Sequence, residues 1–207
     1  MFHVVQGRAA TGGGGGRWTL YGRDLANTHN AAGEKDIGPA NVGSLDVKWT
    51  FTTSGIVPAT PAVDNSAVYF PDGGGTLYKL DAETGAPLWT RSIAALTGTA
   101  DAVSRTSPAL HGHMLYVGTQ AGAYMLAVDS RTGALLWKTQ LDPHPAAIIT
   151  QSPVVHGGRV DVGVSSREGA QSNNSRLPSP AARASRASSG RRTPRRIRET
   201  GRRATSR

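Results

Sequence analysis

Cysteine is absent from all 207 residues, which excludes disulfides and thiolate metal sites. No apolar run reaches transmembrane length, and residues 1–16 lack the apolar stretch of a signal peptide. The glycine run Gly12–Gly16 is not followed by the Gly-Lys-Ser/Thr of a phosphate loop, so it reads as a flexible leader. Residues 170–207 hold no lysine and no aromatic residue, yet they contain 11 arginines against one acid, Glu199. The net charge of +9 belongs to this tail, because the remainder has 12 basic and 13 acidic residues. Three readings of the tail compete: a nucleic-acid arm held by phosphate electrostatics, a solvated linker, and an off-frame translation of GC-rich coding sequence. The missing lysine favours the third and makes nucleic acid an unlikely partner.

What the chain does have is a repeat. Asp81-Ala82-Glu83-Thr84-Gly85-Ala86-Pro87-Leu88-Trp89 returns as Asp129-Ser130-Arg131-Thr132-Gly133-Ala134-Leu135-Leu136-Trp137, 48 residues later. Asp accepts hydrogen bonds from the N–H groups just ahead of it, and Gly supplies a positive φ, so Asp-x-x-Thr-Gly predicts a tight reversal between two strands. A second element precedes each turn: Thr60-Pro61-Ala62-Val63, Ser107-Pro108-Ala109-Leu110 and Ser152-Pro153-Val154-Val155. Strands are expected after it at Ala67–Phe70, Met114–Val117 and Arg159–Val162, and before the turns at Thr76–Leu80 and Ala123–Val128.

Four short strands per unit and a period in the forties predict an all-β fold, a partial β-propeller with disordered ends. About two blades are complete, Ala59 to Trp89 and Thr106 to Trp137. Two are incomplete, one ending at Trp49 and one starting at Gln151. The repeated tryptophans are expected to pack between neighbouring blades. An all-β sandwich with accidental similarity is the weaker alternative, because two independent elements recur in the same order. The expected organisation is a leader over 1–16, a propeller portion over 17–168 and an Arg-rich tail over 169–207.

The segments Trp18 to Thr28, Val57 to Phe70, Ala102 to Pro108, Leu141 to Pro153 and Val162 to Glu168 carry a family likeness. On them the chain resembles the pyrroloquinoline-quinone (PQQ) propeller dehydrogenases, in particular the polyvinyl-alcohol dehydrogenase-like group. The resemblance implies a quinoprotein-type propeller that oxidises an alcohol and passes electrons to a cytochrome, in a periplasmic or secreted location. It implies PQQ held flat across the propeller axis by Arg and hydroxyl groups, calcium as Lewis acid, and an Asp base from a later blade. Carried over residue by residue, Arg105, Thr150, Ser165 and Ser166 match cofactor contacts and Glu168 a calcium ligand. Each has a plainer reading beside it: Arg105 as a loop brace, Thr150 as a strand-end cap, the serines as turn residues, Glu168 as an exposed loop acid.

His111-Gly112-His113 reads as a surface turn rather than a metal pair, and His144 between prolines as a residue that packs on or caps a loop. Asp161 stands where the other units have Tyr69 and Tyr116, a swap that weakens the third unit if the site is buried. The adjacent cysteines usual after Ser-Ser-x-Glu in this family are missing, and so is any Cys-x-x-Cys-His haem motif. The expectation is therefore a portion of a PQQ-dependent alcohol dehydrogenase without activity by itself. The alternative is a non-catalytic propeller used as an interaction or assembly scaffold.

Overall fold

The computed structural model describes residues 17–34 and 36–167, together with the backbone of two flanking strands. Those strands are β1 (Phe2–Gln6), antiparallel to β2 (Asp46–Phe51), and, at the far end, Ala184–Ser188. The rest of the leader and tail, and Glu168, lie outside the described residues.

The first full unit is a four-stranded antiparallel meander of β3 (Ala62–Val63), β4 (Ala67–Pro71), β5 (Thr76–Asp81) and β6 (Pro87–Ser92). A single short helix, α1 (Ile93–Thr97), follows it, capped by the Ser92 hydroxyl. The second unit repeats the order with β7 (Ala109–His111), β8 (Met114–Gly118), β9 (Tyr124–Asp129) and β10 (Leu135–Gln140). Then come β11 (Ala147–Ile148), β12 (Val154–His156), β13 (Arg159–Gly163) and β14 (Ser165–Ser166). The strands β12 and β13 begin the third unit, and Ala184–Ser188, hereafter β15, pairs on β13.

These strands stack as blades because their inner members are apolar on both faces. In β4, Val68 and Phe70 join Trp49, Tyr78 and Leu80 in one cluster. Ala67 and Tyr69, pointing the other way, join Leu115, Val117, Leu126 and Val128 of the second unit. Met125 and Ala127 of β9 face onward to Val155, Val160 and Val162. Each core thus lies between two sheets, and alternation along a strand assigns successive residues to different cores. The outer strands β6 and β10 are mostly exposed.

The two turns match residue for residue. Asp81 accepts from the N–H groups of Glu83 and Thr84 and from the Thr84 hydroxyl, and Gly85 has φ +72°. Asp129 does the same with Arg131 and Thr132, and Gly133 has φ +73°. A tryptophan of the preceding unit lies over each glycine. Trp49 Nε1–H donates to the Ala82 carbonyl and Trp89 Nε1–H to that of Ser130, both at 3.1 Å. A Cβ on Gly85 would sit 2.5 Å from the Trp49 ring, and one on Gly133 would sit 3.0 Å from that of Trp89. Arg91 reinforces the second contact, with its guanidinium bonded to the Gly133 and Thr132 carbonyls.

His111-Gly112-His113 forms the exposed β7–β8 turn, and among the described residues no group of three His, Asp or Glu side chains could hold a metal. The His144 ring accepts from the Ala146 N–H, a loop cap. Asp161 holds the register place of Tyr69 and Tyr116 but is exposed, so its carboxylate keeps its water.

Replacing Gly85 by Ala should cost about 1–3 kcal/mol of unfolding free energy, from positive-φ strain plus collision with the Trp49 ring. Gly112→Ala, at φ +61° with no atom within 4 Å of its Cβ, isolates the backbone component and should cost less in the same urea titration. Acid provides a second test. The Thr132 N–H holds the Asp129 carboxyl at about 2, against an ordinary 3.8, with burial opposing and the Arg131 and Thr132 side chains assisting. A depressed folded pKa stabilises above the unfolded value and is lost as pH falls through the folded one. Melting curves between pH 4 and 2 should therefore fall more steeply for the native chain than for Asp129→Asn. Parallel slopes would refute the assignment.

Candidate functional site

The Ser/Thr-Pro elements that open the three units meet at their inner ends. The Thr60 N–H donates to Ser107 Oγ at 2.9 Å, and the Ser107 N–H donates to Ser152 Oγ at 3.0 Å. The same position of each unit is thus tied to the next by a backbone donor and a side-chain hydroxyl. The following proline has no N–H to compete and holds φ fixed.

A cavity of about 570 Å³ opens beside this chain of bonds, lined by Thr60, Arg105, Ser107, Thr150, Gln151 and Ser152. Its other wall is the segment after Trp18. Trp18 bridges Val63 through two backbone bonds, and the Leu110 N–H donates to the Thr19 carbonyl, so the segment spans the first two units. It then folds over the cavity with Tyr21, Gly22, Asp24, Leu25 and Asn27. Asp24 organises it by accepting from the Thr28 N–H at 3.1 Å and the Thr28 hydroxyl at 2.6 Å. The hydroxyl bond is the main reason the Asp24 carboxyl lies below its ordinary value. A Cβ on Gly22 would sit 1.8 Å from Asn27 Oδ1, so any larger residue there would displace the Asn27 side chain.

Arg105 projects from a locked segment. Ser104 and Thr106 on either side are fully buried, with their hydroxyls 3.1 Å apart. Thr106 Oγ1 also accepts from the Gly118 N–H at 3.0 Å. The guanidinium is exposed and makes no hydrogen bond or ion pair among the described residues. The loop is braced by its hydroxyl neighbours, so the arginine is left to face the cavity. Thr150 is likewise exposed on the lining.

Of the sequence-expected site residues, Arg105 and Thr150 therefore share one cavity. Ser165 and Ser166 do not line it. They form β14, paired with Ile148 and Ala147 of β11, and are exposed. Glu168 lies outside the described residues. Sequence reasoning missed Ser107 and Ser152 as inter-unit acceptors, although the recurrence of Ser/Thr before Pro was the signal that could have found them. It also missed the covering role of Tyr21 to Asn27.

The stacked four-stranded blades make this a partial quinoprotein-type propeller. The chain belongs to the family described as "Outer membrane protein assembly factor BamB", whose match covers residues 42–197. It is 34% identical over 163 residues to the quinohemoprotein alcohol dehydrogenase ADH IIB of Pseudomonas putida, covering 74% of this chain and 23% of that protein. It is 29% identical over 161 residues to a polyvinylalcohol dehydrogenase of a Pseudomonas species, covering 76% and 25%. The solved quinohemoprotein alcohol dehydrogenase ADHIIG of Pseudomonas putida superposes with a TM-score of 0.62 at 26% identity, covering 73% of this chain and 23% of that one. The chain thus spans about a quarter of the length of these relatives.

Removing the Ser107 hydroxyl should leave the Thr60 N–H without its acceptor. Ser107→Ala is expected to cost about 1 kcal/mol in stability and to speed amide exchange at Thr60. Ser107→Thr, which keeps the oxygen, should restore protection at that amide.

Proposed function

We propose that the cavity is one side of a PQQ site and that the chain is a portion of a PQQ-dependent alcohol dehydrogenase of the polyvinyl-alcohol type. The supporting observation is the uncommitted Arg105 guanidinium on the same wall as the Thr150 hydroxyl. A planar cation on a rigid base suits a carboxylate, and a polycarboxylate quinone of modest size suits a cavity of about 570 Å³. When bound, PQQ supplies the two-electron acceptor for alcohol oxidation. The chain's own part is to hold a carboxylate at Arg105, offer the Thr150 hydroxyl, and cover the cavity with Tyr21 to Asn27.

The donor set for calcium is not assembled among the described residues. Glu168 is the carboxylate we assign to it. Ser165 and Ser166, away from the cavity, would reach the cofactor only through a rearrangement of β14. Asp24 is the sole carboxylate on the described lining, and it is committed to Thr28 with a lowered pKa. A carboxyl so held is a weak proton acceptor, unsuited to drawing the proton from an alcohol. We therefore assign the chain no turnover of its own. In the complete enzyme the partners would be an alcohol and a cytochrome, in the periplasm or outside the cell. No helix among the described residues is long and apolar enough to cross a membrane. The description of the matching family favours one other reading, a non-catalytic assembly scaffold.

Titration with PQQ, with and without calcium, separates the two. Saturable binding weakened about tenfold or more by Arg105→Ala is expected, on the strength of a charge-assisted contact. Dye reduction with alcohol should not exceed a no-protein control. Turnover would overturn the inactivity. Absent binding, or binding indifferent to Arg105→Ala, would overturn the PQQ site and leave the scaffold.

A further inference from the structure

Three of the large apolar side chains that stay exposed stand round one cavity. Tyr21 is 49% exposed, Leu25 55% and Val154 37%, and all three lie on its lining, as does Pro58. Exposed apolar residues scattered singly are ordinary, whereas several on one concave surface mark a place that a ligand covers. Their sequence neighbours are not left open in this way. Trp18 and Thr19 bond to Val63 and Leu110, and Leu20 packs against the core that holds Ala109, Tyr116 and Val155. Gly22, on the other side of Tyr21, is buried. Tyr21 is thus turned outward between two fixed points.

The backbone that carries the ring is held by the segment itself. Trp18 Nε1–H donates to the Tyr21 carbonyl and the His29 N–H to that of Gly22, both at 3.1 Å. Arg23, Asn27 and His29 have φ of +74°, +54° and +50°, three of the five left-handed non-glycine residues among those described. Such conformations persist where the surroundings determine them. The ring is less engaged. It meets the His29 ring at 88° with centroids 5.3 Å apart, an arrangement that uses at most one of its faces. Among the described residues it has no other aromatic partner, and its hydroxyl makes no hydrogen bond. A half-exposed phenol ring thus shares one cavity with the unpaired Arg105 guanidinium.

We propose that Tyr21 is a stacking surface for a flat ring whose carboxylate is held by Arg105. Leu25 and Val154 add apolar surface beside it, and the cavity selects an aromatic polycarboxylate over an aliphatic one of equal charge. The inference rests on the reading of Arg105 as the carboxylate holder and adds a requirement of shape to it. A carboxylate on a flexible aliphatic body satisfies the guanidinium but leaves the phenol in water. A rigid ring satisfies both, and an offset stack adds attraction beyond the area it covers. The Tyr21 hydroxyl has no part in this, so phenylalanine serves equally well at the position.

Three tricarboxylates titrated calorimetrically into the full chain, without calcium, test the assignment: PQQ, trimesate with its single benzene ring, and citrate with none. Arg105→Ala should weaken all three. PQQ and trimesate should bind about tenfold more tightly than citrate, and Tyr21→Ala should remove about that factor from the two aromatic ligands. Citrate should bind the Tyr21→Ala protein unchanged, which also reports that its cavity is intact. Tyr21→Phe should bind all three as the native chain does. Aromatic binding that needs Arg105 but ignores Tyr21→Ala overturns the stacking role and leaves the carboxylate site standing. Equal loss for citrate makes Tyr21 a structural residue and overturns the role as well. If none of the three binds, both the carboxylate site and the stacking role fall.

Discussion

An indole laid over a turn that has no side chain is the contact on which the rest of this architecture depends. It needs a flat ring, a glycine and a backbone carbonyl in one place, and the Asp-x-x-Thr-Gly turn supplies the last two together. The sheets can then stack closely enough for their faces to close over a dry core. All three apolar clusters lie between units rather than inside one. Neighbouring units thus complete one another's cores, as in repeat proteins generally.

The propeller was legible because its punctuation is local. The Asp81 and Asp129 carboxylates accept from groups within the next three residues, so the turns could be read from five letters each. The strands between them followed from spacing, and the observed bounds differ by a residue or so. The inner chain of bonds was not legible. Thr60 and Ser107 are far apart in sequence, and nothing in either residue alone shows that one donates to the other. The cover of the cavity was hidden for a similar reason. Tyr21 to Asn27 were recognised as a motif, but their placement follows from Trp18 pairing with Val63 and Thr19 with Leu110.

The candidate site shows a division of labour among polar groups. Ser104, Thr106, Ser107 and Asp24 spend their hydrogen bonds on the protein, fixing the loops that carry them. Arg105 and Thr150 make no side-chain hydrogen bond among the described residues, and both stand exposed on the cavity lining. Rigidity and availability are thus assigned to different residues, which is what a preorganised binding surface requires. Ser165 and Ser166 fit the family motif equally well in sequence. They fall elsewhere because β14 pairs with β11 across a separate two-stranded ladder. Motif matching cannot see that ladder.

Four of the bonds that join successive units share a polarity, although Lys138 donates the other way, to the Thr97 carbonyl. Trp49 donates to Ala82, Trp89 to Ser130, Thr60 to Ser107 and Ser107 to Ser152, so each donor precedes its acceptor in the chain. A ribosome releases the donor first, and its acceptor follows 33 to 47 residues later. For these four bonds the donor is synthesised before its acceptor, so a later blade brings the carbonyl or hydroxyl to a donor already made.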